Sequence, residues 1–314
     1  MAGLFRLIGT LLAPVVALLN KLRWLLVGLL GIGLPVWIYY AFIADEPAFT
    51  VSNDVELGRQ SEASIAADPE QFPLLSPVEY PEAYRHLGRI VRNVVSSPDI
   101  DYRELFPYEN VRIIHKDDVL NAFCTPGGFI YVYSGLIHYL DAEDHLAGVL
   151  GHEIAHAERR HSSVRLQREF GARRLLEFVL LSQPMTIRDV ANASIAKELL
   201  SLRYSRAQEA EADAYSVRYL ASTSYACDGT AGFFQKLLDA GDGAPIPEFL
   251  SDHPDPAARV RDFRGNAREL GCSIELGDQS EWRAFQASLP APETDGPETD
   301  EPRTDEEEEA QKQD

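Results

Sequence analysis

Hydrophobic spacing changes rhythm several times along this chain, and each change marks a different kind of element. From Trp24 to Ala44 about twenty residues pass without a charge, enough for a helix to cross the hydrocarbon core of a bilayer. Trp24, Trp37, Tyr39 and Tyr40 lie towards its ends, as interfacial aromatics do. Arg6, Lys21 and Arg23 precede the run, while Asp45 and Glu46 follow it. That bias places the N-terminus in the cytoplasm and the body on the far side. Phe42 stands where cleavage after Ala44 needs a small residue, so the span reads as an uncleaved signal anchor. The earlier stretch Leu4–Leu19, interrupted by Arg6 and Pro14, reads as interfacial.

Beyond the anchor the spacing turns helical over Val55–Ala67 and Pro81–Val95; in the second, Tyr84, Leu87, Ile90, Val91, Val94 and Val95 recur on one face. Then the period shortens. Val111–His115, Leu120–Cys124 and Phe129–Tyr133 read as strands, with Pro126-Gly127-Gly128 punctuating a turn before the last. A helix is predicted from Asp141, with Asp144 in a capping-box position, to about Arg168. Leu175–Leu181 is a short apolar patch that reads as core. Helical patterns cover Ala191–Ala221, Thr230–Ala240 and Ala257–Leu270, and a Pro-rich loop, Pro245–Pro256, precedes the last. The pattern predicts a mainly α domain with a small β-sheet, an α+β fold. It divides the chain into an N-terminal segment (1–23), an anchor (24–44), a main domain (45–270), an extension (271–289) and a tail (290–314).

Composition changes this picture at one end. The 314 residues carry a net charge of −20, but from Pro290 to Asp314 eleven acidic residues stand against Arg303 and Lys312, a local −9. That segment has too little apolar surface to fold and reads as a disordered acidic tail. With no basic stripe, nucleic-acid binding is excluded as an expectation. Three cysteines are too few for a disulfide scaffold. In an oxidising compartment Cys227 and Cys272 can pair, leaving Cys124 free.

The candidate chemistry lies in His152-Glu153-Ile154-Ala155-His156. On a helix the two histidines sit about 40° apart, so both rings can reach one metal ion. Glu153 lies on the flank, able to touch an attacking water without being a ligand. A catalytic zinc needs a third protein ligand. The extended pattern with a histidine six residues after His156 fails, because Ser162 and Arg159 occupy its positions. His161 lies about 180° around a continuous helix from His152 and should point away. Glu209 and Asp213, four apart, share one helix face, while Glu211 should face elsewhere. Glu209 then reads as the third ligand, and Asp213 as acceptor of a proton from the far nitrogen of a ligating histidine. The alanines at 210, 212 and 214 leave room for another helix. The same stretch also reads as an ordinary solvated acidic helix.

Four blocks in order resemble the zinc metallopeptidase family that contains the CAAX prenyl proteases, HtpX, mitochondrial Oma-type and periplasmic BepA-like proteases. They are Asn121 through Gly128, Gly151 through His156, Ser205-Arg206 followed by Glu209, Ala212 and Asp213, and Ser251-Asp252-His253-Pro254 with Arg259 beyond. The similarity covers roughly residues 54–270. It implies a zincin-like domain with one zinc held by His152, His156 and Glu209, and Glu153 as the catalytic acid–base. It implies second-sphere or regulatory roles for Asp213, His253 and Arg259, with His253 on a loop over the metal. It also implies an extended protein or peptide substrate laid beside the strand near Gly128–Tyr133, with Asn121, Pro126, Gly127, Gly128, Phe129 and Ile130 lining it. The chain has neither the multiple spans of the prenyl proteases nor a tetratricopeptide extension, so it resembles the small, singly anchored periplasmic members. That resemblance implies a bacterial inner-membrane endopeptidase acting in envelope-protein quality control. The competing readings are a protease-derived chaperone or assembly factor, and an anchored scaffold working through its acidic tail.

Overall fold

Helix α1 (Val51–Ala66) begins at a reciprocal cap: the Thr50 hydroxyl accepts the Asn53 N–H and the Asn53 side chain accepts the Thr50 N–H. The computed structural model describes residues 50–170, 204–241, 249 and 255–292, with isolated positions between 21 and 35. The expected anchor, the interfacial stretch, the patch Leu175–Leu181, His253 and the tail from 293 therefore lie outside the described residues, apart from those isolated positions. No helix among the described residues is long and apolar enough to cross a membrane.

Helix α2 (Pro81–Val95) has the predicted bounds, with proline at its first turn, and buries Ala83, Leu87, Ile90, Val91 and Val94. Strands β1 (Val111–Ile114), β2 (Ala122–Thr125) and β3 (Phe129–Tyr133) form one sheet in the order β1-β3-β2. β3 runs parallel to β1 and antiparallel to β2. Successive side chains of a strand point to opposite faces. Ile130 and Val132 accordingly enter the main core, while Phe129, Tyr131 and Tyr133 enter a smaller cluster with Ile65, Phe72 and Ile114. The turn between β2 and β3 needs glycine twice: Gly127 (φ 78°) and Gly128 (φ 87°) are left-handed. A Cβ on Gly127 would also meet Val55 Cα at 2.5 Å, because α1 lies against this turn.

A short helix that spacing does not predict, α3 (Ser134–Tyr139), follows β3; six residues are too few to show a period. Helix α4 (Glu143–Glu158) is buried along its whole length, a helix enclosed on every side rather than amphipathic. It starts two residues later than expected, after Ala142, with no side-chain cap. It also ends earlier, since Arg160 is left-handed (φ 56°) and the chain turns into a separate helix, α5 (His161–Phe170). Asp54 of α1 holds that break, accepting from Arg160 Nε at 2.5 Å and from Ser163 Oγ at 2.5 Å. Both ends of α4 are tied down. Glu143 takes both Arg89 Nη groups and the Tyr225 hydroxyl at 2.6 Å. Glu158 takes the Tyr108 hydroxyl at 2.5 Å and the Asp101 N–H at 2.8 Å.

Of the helix predicted over Ala191–Ala221, the part from Arg206 to Leu220 is helical and forms α6, capped by Ser205 and Gln208. Residues 191–203 lie outside the described residues. Helices α7 (Gly229–Ala240), α8 (Pro256–Leu270) and α9 (Ser280–Ala287) complete the described domain. α9 falls in the stretch read from sequence as an extension, yet Trp282 and Phe285 are buried in the main core, and Trp282 donates to the Leu140 carbonyl at 3.1 Å. Cys227 and Cys272 are joined by a disulfide, and Cys124 is free and buried, as expected.

α4 and α7 touch backbone to backbone. A Cβ at Gly148 would lie 2.2 Å from the Thr230 nitrogen, and one at Gly229 would lie 2.1 Å from the Asp144 carbonyl oxygen. Gly148→Ala is therefore expected to lower stability by about 1–3 kcal/mol in urea unfolding. Gly265→Ala on α8, with nothing within 4 Å, serves as the contrast: a gain of about 0.5–1 kcal/mol from helix propensity. Equal effects at both positions would contradict the close crossing.

Candidate metal centre

Two helices build the site. α4 presents His152 and His156, both fully buried, one turn apart with their Nε2 atoms 3.0 Å from each other. α6 brings Glu209, whose Oε2 lies 3.6 Å from His152 Nε2 and whose Oε1 lies 3.5 Å from His156 Nε2. Among the described residues these three form the one group whose donor atoms all lie within 4.8 Å of one another. Tetrahedral zinc with ligands at 2.0–2.2 Å spaces its donors about 3.3–3.6 Å apart. Two nitrogens and one carboxylate oxygen, gathered at nearly that spacing in the interior, fit zinc.

Small residues let the helices come this close. A Cβ at Gly151 would sit 3.0 Å from Ser216 Oγ, and Ser216 Oγ donates to the Gly148 carbonyl at 2.9 Å. Of the three alanines expected to make room on α6, Ala212 is buried, Ala210 is exposed and Ala214 is intermediate. The contact uses one alanine and a serine.

Asp213 lies one turn after Glu209, and its Oδ1 is 2.9 Å from His152 Nδ1. Accepting the Nδ1 proton leaves the Nε2 lone pair facing the metal position. Arg259 reaches in from α8, donating through Nε to Asp213 Oδ2 at 2.9 Å and through Nη2 to Asp213 Oδ1. Its Nη1 lies 3.3 Å from Glu209 Oε2, and the guanidinium stands over the Phe234 ring at 4.5 Å. Burial alone would raise the Asp213 carboxyl, but Arg259 and His152 outweigh it and hold it below the ordinary value. Burial first, and the Arg259 charge second, push the His152 pKa down to about 4, which keeps the imidazole neutral, the form that binds metal.

Glu153 follows His152 on α4 and is buried, at 3% exposure. Cys124 of β2 shares its environment: burial raises that thiol well above its usual value, and the Glu153 charge adds to the shift. β2 packs against the helix that carries the motif. Two further side chains touch His156, and only Tyr204 carries no signal in the sequence. Tyr204 stacks on the His156 ring at 3.9 Å between centroids, its hydroxyl 2.7 Å from Ser162 Oγ. His161, expected to point away, is buried with its Nδ1 3.0 Å from His156 Nδ1. The correction has a definite cause, since the left-handed Arg160 ends the helix on which the 180° projection was made. Glu211 does face away from the donors, yet it pairs with Arg159 Nε at 2.7 Å and lies 3.4 Å from His161 Nε2.

The expected substrate-lining block needs a correction too. β3 is the central strand, paired on both edges, so no free edge exists at Gly128–Tyr133. Phe129 and Ile130 are buried on opposite faces. Gly127 and Gly128 pack against Val55 and against Phe106 and Tyr108. Pro126 is buried in the same turn, and Asn121 is buried with its carbonyl accepting the Tyr133 N–H at 3.1 Å. The sheet's outer edge on this side belongs to β2, which has one strand partner among the described residues.

Comparison with known proteins agrees with this geometry. The sequence profile of Peptidase family M48 matches residues 81–267, more than half of the chain and the part that holds all three donors. The mitochondrial metalloendopeptidase OMA1 of Arabidopsis thaliana is 32% identical over 149 residues, which is 48% of this chain and 30% of that protein. The beta-barrel assembly-enhancing protease of Escherichia coli K12 is 30% identical over 166 residues, 49% of this chain and 34% of that protein. Metalloprotease LoiP of the same organism is 25% identical over 240 residues, 76% of this chain and 86% of LoiP. The chain spans about half or less of the length of the first curated relatives it matches. A buried His-Glu-x-x-His helix, a carboxylate delivered by a second helix and a profile spanning both lead to one assignment: the chain belongs to peptidase family M48, whose members are zinc metallopeptidases.

Proposed function

We propose that this chain is a zinc-dependent endopeptidase that cuts extended segments of misfolded or misassembled envelope proteins. In this reading residues 24–44 anchor it in a bacterial inner membrane, with the catalytic domain on the periplasmic side. The observation that carries the activity is the meeting of His152 Nε2, His156 Nε2 and a Glu209 oxygen beside a buried Glu153. The location is supported by the uncharged run Trp24–Ala44 and by the Cys227–Cys272 disulfide, a bond of oxidising compartments. The envelope substrate is supported by relatives named for enhancing beta-barrel assembly.

In the mechanism His152, His156 and Glu209 hold the zinc, which when bound supplies Lewis-acid chemistry towards water and the scissile carbonyl. Glu153 takes the proton of the attacking water and returns it to the leaving amine as the peptide C–N bond breaks. Asp213 fixes the tautomer of His152, and Arg259 balances the two carboxylates beside it. The substrate adds to the outer edge of β2, where main-chain hydrogen bonds accept any extended sequence and run alongside α4. His253 is assigned to the loop over the metal, as the family resemblance implies.

Chelation tests the activity directly. Dialysis against 1,10-phenanthroline is expected to abolish casein cleavage, and one equivalent of zinc per chain should restore it. Cleavage that survives complete metal removal would sink the proposal. Casein binding without turnover in the zinc-loaded protein would favour the chaperone reading instead.

A further inference from the structure

The two histidine ligands are supported differently. His152 meets a carboxylate directly, at Asp213. His156 has Glu209 near its metal-facing Nε2, while its Nδ1 lies 3.0 Å from His161 Nδ1, and the other ring nitrogen of His161 lies 3.4 Å from Glu211 Oε2. The position of the donors fixes the protons along this row. His156 Nε2 faces His152 Nε2 and Glu209, so its lone pair belongs to the metal position and its hydrogen sits on Nδ1. That N–H needs an acceptor, which the bare Nδ1 of His161 supplies. His161 then carries its own hydrogen on Nε2 and donates it to Glu211. Arg159 holds Glu211 in place from the opposite side at 2.7 Å.

We propose that His161 is a positioning residue, relaying the Glu211 carboxylate to His156 through two hydrogen bonds and so fixing the tautomer and tilt of a zinc ligand. The inference rests on the reading of His156 as a ligand. Local structure is built to deliver it. α4 stops at Glu158, Arg160 adopts φ 56°, and Asp54 clamps the Arg160 side chain. Without that break His161 would continue the helix and face away from His156. Tyr204 covers the face of the His156 ring at 3.9 Å, so ring tilt is limited by stacking and in-plane rotation by His161. A ligating histidine is ordinarily steadied through its second nitrogen by a carboxylate, a carbonyl or water, and loss of that partner weakens metal binding about 10–100-fold. Here an imidazole stands in the partner's place.

The test is zinc affinity of the full-length chain, by competition with a chromophoric chelator, alongside the unfolding temperature of the metal-free protein. His161→Phe keeps a ring but removes the acceptor, and its zinc Kd is expected to rise about 10–100-fold. His161→Asn, whose side-chain oxygen can stand near the lost Nδ1, should recover most of that loss. Glu211→Ala, at a partly exposed position, leaves the fold intact and should raise the Kd roughly three- to tenfold. It decides the matter should His161→Phe not fold. Kd values within twofold of the parent in Glu211→Ala and His161→Phe would overturn the relay. Equal losses in His161→Phe and His161→Asn would overturn it as well. A parent that binds no zinc is a different failure, that of the ligand reading itself.

Discussion

Glu153→Gln is expected to bind zinc as the parent does and to cleave casein about 10²–10⁴-fold more slowly, the range that one positioned acid–base contributes. The amide has the shape of the carboxylate, so the packing of a side chain at 3% exposure on a fully enclosed helix is preserved. What it lacks is the ability to take a proton from water and surrender it to the leaving amine. Its neighbours His152 and His156 keep their geometry, because Asp213 holds one and His161 touches the other. Metal content and turnover should therefore separate in this variant. Cleavage at the parent rate would remove Glu153 from the chemistry, and loss of zinc would place it among the ligands.

Arg259→Ala is expected to destabilise the metal-free protein by about 3–5 kcal/mol, the usual cost of removing one partner from a buried ion pair. The guanidinium is buried, bridges Asp213 and Glu209 and packs on Phe234, so its removal leaves two interior carboxylates with less compensation. The pH dependence carries a sign. In the parent, Asp213 is held below its ordinary value of 3.8, so its contribution is full above pH 3.8 and is lost as pH falls through the depressed pKa. Without Arg259 burial dominates and the Asp213 pKa rises. The variant's folded state then takes up a proton before its unfolded state does, and the stability deficit narrows as pH falls from neutrality towards 4. Saturating zinc should raise the stability of both proteins, since binding to the native state adds stability. Urea unfolding of both proteins at pH 7 and pH 5, with and without zinc, reads all of this. A deficit that widens on acidification would contradict the charge-balancing role.

How much of this was legible in the sequence depended on whether the information was local. α2 and β3 were placed to the residue because a one-sided helix and a β-branched, aromatic run carry their periods in the sequence itself. The donors were legible for the same reason, since four-residue spacings on α4 and α6 put His152 with His156 and Glu209 with Asp213. The bounds of α4 were less legible. A helix buried on all sides has no polar face to stop at, and the left-handed Arg160 that ends it is stabilised by Asp54, 106 residues away. The misplacement of His161 followed from that one backbone angle. Strand order was not legible either. Nothing in Phe129–Tyr133 says that β1 will cover its free edge, so the open edge passed from β3 to β2 only once all three strands were assembled. α3 and α9 are six and eight residues long, too short for periodicity to separate them from loops.

Anomalous diffraction at the zinc edge, on crystals of the full chain grown with one equivalent of zinc, addresses the central claim most directly. The account predicts one peak per chain, about 2.0–2.2 Å from His152 Nε2, His156 Nε2 and a Glu209 carboxylate oxygen. A peak away from these three atoms, or none at all, would contradict it.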